Sequence, residues 1–225
     1  MDAMIFDFDG VVVDSEPIHF RGFREVLAEA GVTLSREDYY GKYLGFDDHD
    51  CFAAALGDCG LPAGEREIAK MTAAKTRIVQ RVIAESIQAL PGSLELIAAA
   101  ARRGTPLAIC SGALREEIVL ALRCIGAERH FARIVAAEDV RRGKPDPEGY
   151  LLALDQLRQT TGKPLRAERC VVVEDSPAGI ESACAAGMKV LAVATSYPPG
   201  ELTAADRVVD SLARVTPEDL DGLVR

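Results

Sequence analysis

Between Pro91-Gly92 and the C-terminus, short apolar runs alternate with amphipathic segments, and this pattern limits the possible folds more than any other feature. The runs are Pro106–Cys110, Arg133–Ala137, Cys170–Val173, Lys189–Val193 and Arg207–Val209. The intervening segments read as helices: Ser93–Arg103, Leu114–Cys124, Pro147–Thr161 with Asp146 as its N-cap, and a stretch from Ser176-Pro177 to Gly187. The apolar runs lack in-out alternation, as strands covered on both faces should. Strands and helices that alternate at this spacing form a parallel sheet with helices on both sides. A further run from Met4 supplies a first strand, and Pro217–Val224 a last short helix.

Residues 16–87 carry a different pattern. Helical segments are expected at Glu16–Ala30, Ser35–Lys42, Asp48–Leu56 and Gly64–Glu85, separated by loops containing Gly45, Gly57, Gly60 and Pro62. Ser15 is placed as an N-cap, and Phe20, Phe23, Val26, Leu27 and Ala30 form an apolar stripe at helical spacing. No strand signal occurs in this stretch. The expected architecture is a doubly wound, Rossmann-like α/β core of residues 1–15 and 88–225, with an inserted all-helical domain at 16–87.

Composition narrows the function classes. A formal net charge of −9 argues against nonspecific binding to nucleic acid or to an anionic membrane. No run of about 18 apolar residues suggests a membrane span. Asp2 and the strand that starts at once leave no signal-peptide pattern. The six cysteines show no Cys-x-x-Cys spacing and read as free thiols in a reducing cytoplasm. A cytoplasmic protein, monomeric or weakly homodimeric, is the expectation.

Open α/β sheets bind ligands beyond the carboxyl ends of their strands. Those positions hold Asp7 and Asp9, then Ser111-Gly112, then Gly143-Lys144-Pro145-Asp146-Pro147, then Glu174-Asp175-Ser176-Pro177. Taken singly, each has an ordinary explanation. Ser111 could only cap a helix, Lys144 could be a solvated surface lysine, and Glu174 a solvated strand end. Asp175-Ser176-Pro177 could be a plain helix start, and His19, His49 and His130 surface or capping residues. Gathered at one sheet edge, they suggest more. Four carboxylates suit a hard divalent cation, above all Mg²⁺, and the absence of a His/Cys cluster argues against zinc. The Ser111 hydroxyl, nearby backbone N–H groups and Lys144 could together hold an anion such as phosphate. One aspartate of the first pair could then attack phosphorus, and the other could act as general acid and base.

Asp7-Phe8-Asp9-Gly10-Val11, Ser111, Gly143-Lys144-Pro145-Asp146-Pro147 and Val173-Glu174-Asp175-Ser176-Pro177-Ala178-Gly179-Ile180 resemble the four signature motifs of the haloacid dehalogenase-like superfamily. The resemblance implies Asp7 as nucleophile and Asp9 as acid/base. It implies that Asp7, the Asp9 carbonyl and Asp175 hold Mg²⁺, with Glu174 a possible further ligand, and that Ser111 and Lys144 bind the transferring phosphoryl group. The helical insert looks like that superfamily's cap. Asp14-Ser15-Glu16-Pro17-Ile18-His19 is similar to the branch that holds β-phosphoglucomutase and small-molecule phosphatases, and His19 and Lys75 match mutase-like cap positions.

Dehalogenases of the family use a single aspartate in the first motif, so Asp9 argues for phosphoryl chemistry. Phosphonatases use a cap lysine as a Schiff base, for which Lys42, Lys70 and Lys75 are the available residues. Mutase relatives place an arginine in a cap loop that here reads Leu44-Gly45-Phe46-Asp47-Asp48-His49-Asp50, with acids where a cation is wanted. This departure favours a phosphatase over a mutase. It also suits a substrate with hydroxyls or an amine away from its phosphate. The implied function is a Mg²⁺-dependent phosphatase of a small phosphorylated metabolite such as a sugar phosphate, working through an aspartyl-phosphate. A β-phosphoglucomutase-like mutase and a catalytically silent binding protein are the alternatives.

Overall fold

The computed structural model describes residues 1–44 and 46–224. Gly45, expected in a loop, and Arg225, the last residue assigned to the core, lie outside the described residues. The chain divides into two compact units: residues 1–14 with 87–225, and residues 15–86.

In chain order, β1 (Ala3–Phe6) opens the first unit. The second unit comprises α1 (Glu16–Glu29), α2 (Arg36–Asp38), α3 (Asp48–Asp58) and α4 (Glu65–Ser86). The first unit resumes with α5 (Ser93–Arg102), β2 (Leu107–Cys110), α6 (Arg115–Cys124), β3 (Arg133–Val135) and α7 (Glu148–Thr161). It closes with β4 (Cys170–Glu174), α8 (Pro177–Ala185), β5 (Lys189–Val193), β6 (Arg207–Val209) and α9 (Pro217–Asp221).

The six strands form one parallel sheet in the order β3-β2-β1-β4-β5-β6. β1 is central: Ile5 aligns with Ala108 of β2 on one side and Val172 of β4 on the other. The chain winds outward from β1 to β3, then returns and winds the other way from β4 to β6. The reversal at β1 leaves a crevice at its carboxyl end, where ligands of such sheets bind. All residues of β1, β2 and β4 are buried, which explains their unbroken apolar reading. Ile5, Ala108, Val172 and Val190 of the sheet pack with Tyr150, Leu154 and Leu157 of α7 and Ile180 of α8 in one apolar cluster.

Several details differ from the sequence reading. β3 stops at Val135, because Ala137–Asp139 forms a 3₁₀ turn in which the Asp139 carboxylate accepts from the Ala136 N–H at 2.8 Å. β4 runs one residue further, to Glu174. α6 begins at Arg115, one residue later than expected, with Leu114 at its N-cap and Ser111 in the loop ahead of it. α7 begins after Pro147, and Asp146 accepts from the Glu148 N–H at 3.0 Å.

The helical unit is built on α1 and α4, which pack closely at Gly22: a Cβ there would lie 3.1 Å from both Lys75 and Val79 side-chain carbons. Ser15 occupies the N-cap position of α1 in helical geometry, without a side-chain capping bond. The segment expected as one helix over Ser35–Lys42 is instead the single turn α2 followed by a π turn, Tyr39–Tyr43. Tyr39 accounts for this: its ring packs on Phe20 and Phe23, and its hydroxyl donates to Glu16 at 2.9 Å. Among the described residues no helix is long and apolar enough to cross a membrane.

Candidate active site

β1 ends at Phe6, and the Asp7 N–H still donates to the Val173 carbonyl of β4 at 2.9 Å, so Asp7 is the last residue held by the sheet. The chain then turns through Gly10, whose φ of +74° is disfavoured for L side chains. Space excludes them too: a Cβ on Gly10 would sit 1.9 Å from an Asp175 oxygen. The first-motif glycine therefore lets the β1 and β4 ends come together.

The four sequence segments meet here. Lys144 Nζ donates to Asp7 Oδ1 at 2.6 Å and makes a short bond to Glu174 Oε1. Ligand atoms of Asp7, Glu174 and Asp175 lie within 4.8 Å of one another, and all three residues are buried. Ser111, also buried, donates to Asp9 Oδ2 at 3.4 Å and accepts from the Ala113 N–H at 3.0 Å. Neither bland reading of Lys144 or Glu174 holds, since the lysine bridges two carboxylates and the glutamate is fully buried.

Glu174 is saturated by protein donors. Oε1 accepts from Lys144 and from the Tyr150 hydroxyl at 2.8 Å. Oε2 accepts from the Asp175 N–H at 2.9 Å and from the Ser176 N–H and hydroxyl at 3.0 Å each. Its carboxylate lies against α8, where a Cβ on Gly179 would be 1.7 Å from Oε1. Asp175 accepts a short bond from the Ser196 hydroxyl, and Thr195 donates to the Gly10 carbonyl.

Charge is unbalanced in this cluster. Burial pushes the Asp7 carboxyl well above the usual range; Lys144 opposes that, and Glu174, Asp175 and Asp9 add to it. Burial and the Glu174 charge push Asp175 up to about 7. Burial acts the same way on Glu174, but the Lys144 charge and the donated hydrogen bonds outweigh it, and its pKa falls. Burial would lower Lys144, yet Asp7 and Glu174 hold it well above its ordinary value. Acids outnumber the one lysine, and every donor atom is an oxygen. That donor set fits a hard divalent cation.

His19 and Lys75 lie in the helical unit and meet each other there. Lys75, buried, donates to His19 Nδ1 at 2.8 Å and to Asp48 Oδ1 at 2.6 Å, with Nζ 4.6 Å from the Phe23 ring centroid. Burial first, and then the Lys75 charge, push the His19 pKa down to about 3. The acids of the loop have local partners: Asp47 caps α3 by accepting from the Asp50 N–H at 2.8 Å, and Asp50 pairs with His49 at 3.2 Å. Lys42 and Lys70 are exposed and pair with Asp38 and Glu67.

Sequence reasoning missed Tyr150, Thr195 and Ser196. The last two lie just beyond β5, after Ala194, so the rule that sites lie beyond strand ends would have found them. Tyr150 carries no such signal, since it falls on the apolar stripe of α7 and reads as core.

A doubly wound sheet whose central strand ends in an acidic pair, facing a half-buried lysine and a second acidic pair, defines a class of hydrolase cores. Residues 4–193 match the family model described as haloacid dehalogenase-like hydrolase. The chain belongs to this family. It is 34% identical to hexitol phosphatase A of Escherichia coli over 95% of this chain and 93% of that one. It is 29% identical to a phosphorylated carbohydrates phosphatase of Thermotoga maritima over 98% and 96% of the two chains. The crystal structure of CbbY from Rhodobacter sphaeroides in complex with phosphate superposes with a TM-score of 0.83 at 30% identity, covering 95% of this chain and 96% of that one. By family and by these relatives the chain is a phosphoric monoester hydrolase acting on phosphorylated metabolites.

Proposed function

We propose that the protein is a Mg²⁺-dependent phosphatase that hydrolyses a small sugar or polyol phosphate through an aspartyl-phosphate on Asp7. The observation that carries this reading is the bridge from Lys144 to Asp7 Oδ1 and to the buried, saturated Glu174. It fixes a nucleophilic carboxylate next to a cation in a site that already holds three further acids. The names of the hexitol and phosphorylated-carbohydrate phosphatases support the substrate class.

The roles follow from position. Asp7 attacks phosphorus while Asp9 protonates the departing ester oxygen, so the phosphorus–oxygen ester bond breaks and an acyl phosphate forms. Asp9, now a carboxylate, takes a proton from water, which attacks phosphorus and frees phosphate and Asp7. The contact from the Ala113 N–H to Ser111 Oγ turns the hydroxyl hydrogen outward, toward Asp9 and an incoming phosphoryl oxygen. Lys144 offers the second donor to that group. Asp7, Asp175 and the Asp9 carbonyl would hold Mg²⁺, which when bound supplies positive charge that keeps the carboxylates ionised and offsets the phosphoryl oxygens. Glu174 acts as anchor for Lys144 and for the turn at Asp175 rather than as an open ligand, because its lone pairs are already taken.

The alternatives fit less well. Among the described residues of the helical unit the one buried ammonium, that of Lys75, is neutralised by Asp48, which leaves it poorly suited to a second phosphate. A Schiff-base lysine must be a free amine, yet Lys42 is raised by its bond to Asp38.

The test is a panel of phosphate esters with Mg²⁺, including β-glucose 1-phosphate with its bisphosphate activator, read for both free phosphate and isomerised sugar phosphate. Phosphate release is expected, and it should vanish with Asp7→Asn or with chelator. Isomerisation with little release would replace the phosphatase reading by a mutase. Silence across the panel would leave a binding protein.

A further inference from the structure

We propose that Tyr150 is a positioning residue for phosphoryl transfer, acting through Glu174 on Lys144. The inference rests on the phosphatase reading for its role and on the following geometry for its substance. Tyr150 is fully buried in the apolar cluster of the α/β unit, where Phe would fill the same space. A hydroxyl in such a place is costly unless it hydrogen-bonds. This one donates to Glu174 Oε1 at 2.8 Å, the same oxygen that receives Lys144. The Tyr150 ring also lies beneath the ammonium, with Nζ 5.2 Å from its centroid.

Two N–H groups of Lys144 are used, one on Asp7 and one on Glu174, which leaves the third for a phosphoryl oxygen. How firmly Glu174 draws the ammonium depends on how much negative charge Oε1 retains. The Tyr150 hydroxyl takes up part of that charge. Without it, Oε1 has Lys144 as its one remaining donor, and the ammonium moves toward Glu174 and away from Asp7 and the incoming anion. The hydroxyl thus holds Lys144 midway, where it can serve nucleophile and phosphoryl group together.

The experiment uses the full chain and two titrants, inorganic phosphate in the presence of Mg²⁺ and Mg²⁺ alone, followed by calorimetry for the unsubstituted protein and Tyr150→Phe. The variant keeps the ring and loses only the hydroxyl. Phosphate affinity is expected to fall by about 10-fold, the usual weight of one hydrogen bond to a charged group. Mg²⁺ affinity should not weaken. Equal phosphate affinities overturn the proposal, leaving Tyr150 as packing. A matching loss of Mg²⁺ affinity also overturns it, because the hydroxyl would then act on the whole acidic cluster. So does a Tyr150→Phe chain that no longer folds, because the hydroxyl would then serve stability. Ester hydrolysis by the unsubstituted protein is scored separately, so a failed phosphatase reading and a failed role for Tyr150 give different results.

Discussion

The cluster of His19, Lys75 and Asp48 makes stability depend on pH in a way that one substitution can isolate. His19 Nδ1 accepts from a buried ammonium, so a proton on the ring would break that bond and set two cations side by side. Burial first, and the Lys75 charge second, push its pKa down from 6.5 to about 3 in the folded chain. The sign follows directly. Below pH 6.5 the unfolded chain binds a proton that the folded chain refuses, so stability is complete above that value and falls as pH drops toward about 3. Integrating the linkage from about pH 7.5 to about pH 5 gives a loss of up to ~2 kcal/mol from this residue. His19→Asn removes the titration and keeps a carbonyl that can accept from Lys75. Urea unfolding of both proteins at the two pH values, followed by circular dichroism, measures the difference. The unsubstituted chain should lose about 2 kcal/mol more than the variant over this interval. Parallel losses would refute the argument, and with it the claim that His19 stays neutral beside Lys75.

Gly179→Ala places a Cβ where Glu174 Oε1 stands, at 1.7 Å, so the carboxylate must leave its donors; unfolding free energy should drop by about 3 kcal/mol or more, and a loss under about 1 kcal/mol would contradict the packing. Asp48→Asn leaves the Lys75 ammonium, its side chain 4% exposed, without a countercharge and should cost about 2–3 kcal/mol in the same assay. Asp47→Asn keeps a good N-cap on α3 and should change stability by less than about 0.5 kcal/mol. If both variants also leave the substrate preference untouched, the loop acids do not select for hydroxyls or amines.

The sheet and its edge were legible because their determinants are local in sequence. Buried strands such as Cys170–Glu174 announce themselves by unbroken β-branched residues, and the topology rule then places Asp7, Ser111, Lys144 and Glu174 on one edge. Backbone detail was less accessible. The π turn at Tyr39–Tyr43 depends on ring contacts with α1, which no window of Ser35–Lys42 contains. Ser111 taken alone could also be a helix cap, because a hydroxyl before a helical pattern often is one. Here Leu114 intervenes in an extended conformation, and the hydroxyl is left to face Asp9.

The acidic loop shows why residue type alone misleads. Asp47, Asp48, His49 and Asp50 look like a charged surface set against an anion, and repulsion was the natural inference. The structure gives them separate tasks: Asp47 caps the start of α3, Asp48 neutralises a lysine from α4, and Asp50 pairs with its neighbour His49. A carboxylate's effect on a ligand depends on the charge left after its own partners are counted. By that count Asp48 and Lys75 largely cancel. Little net charge is then left on that pair, and the acids of the loop are not the free anions that their spacing suggests. The same reasoning applies to Glu174, whose charge is shared among Lys144, Tyr150 and the N–H groups of Asp175 and Ser176. In both places the partner lies far away in sequence, Lys75 for Asp48 and Tyr150 with Lys144 for Glu174, so the charge that remains cannot be read from a local window.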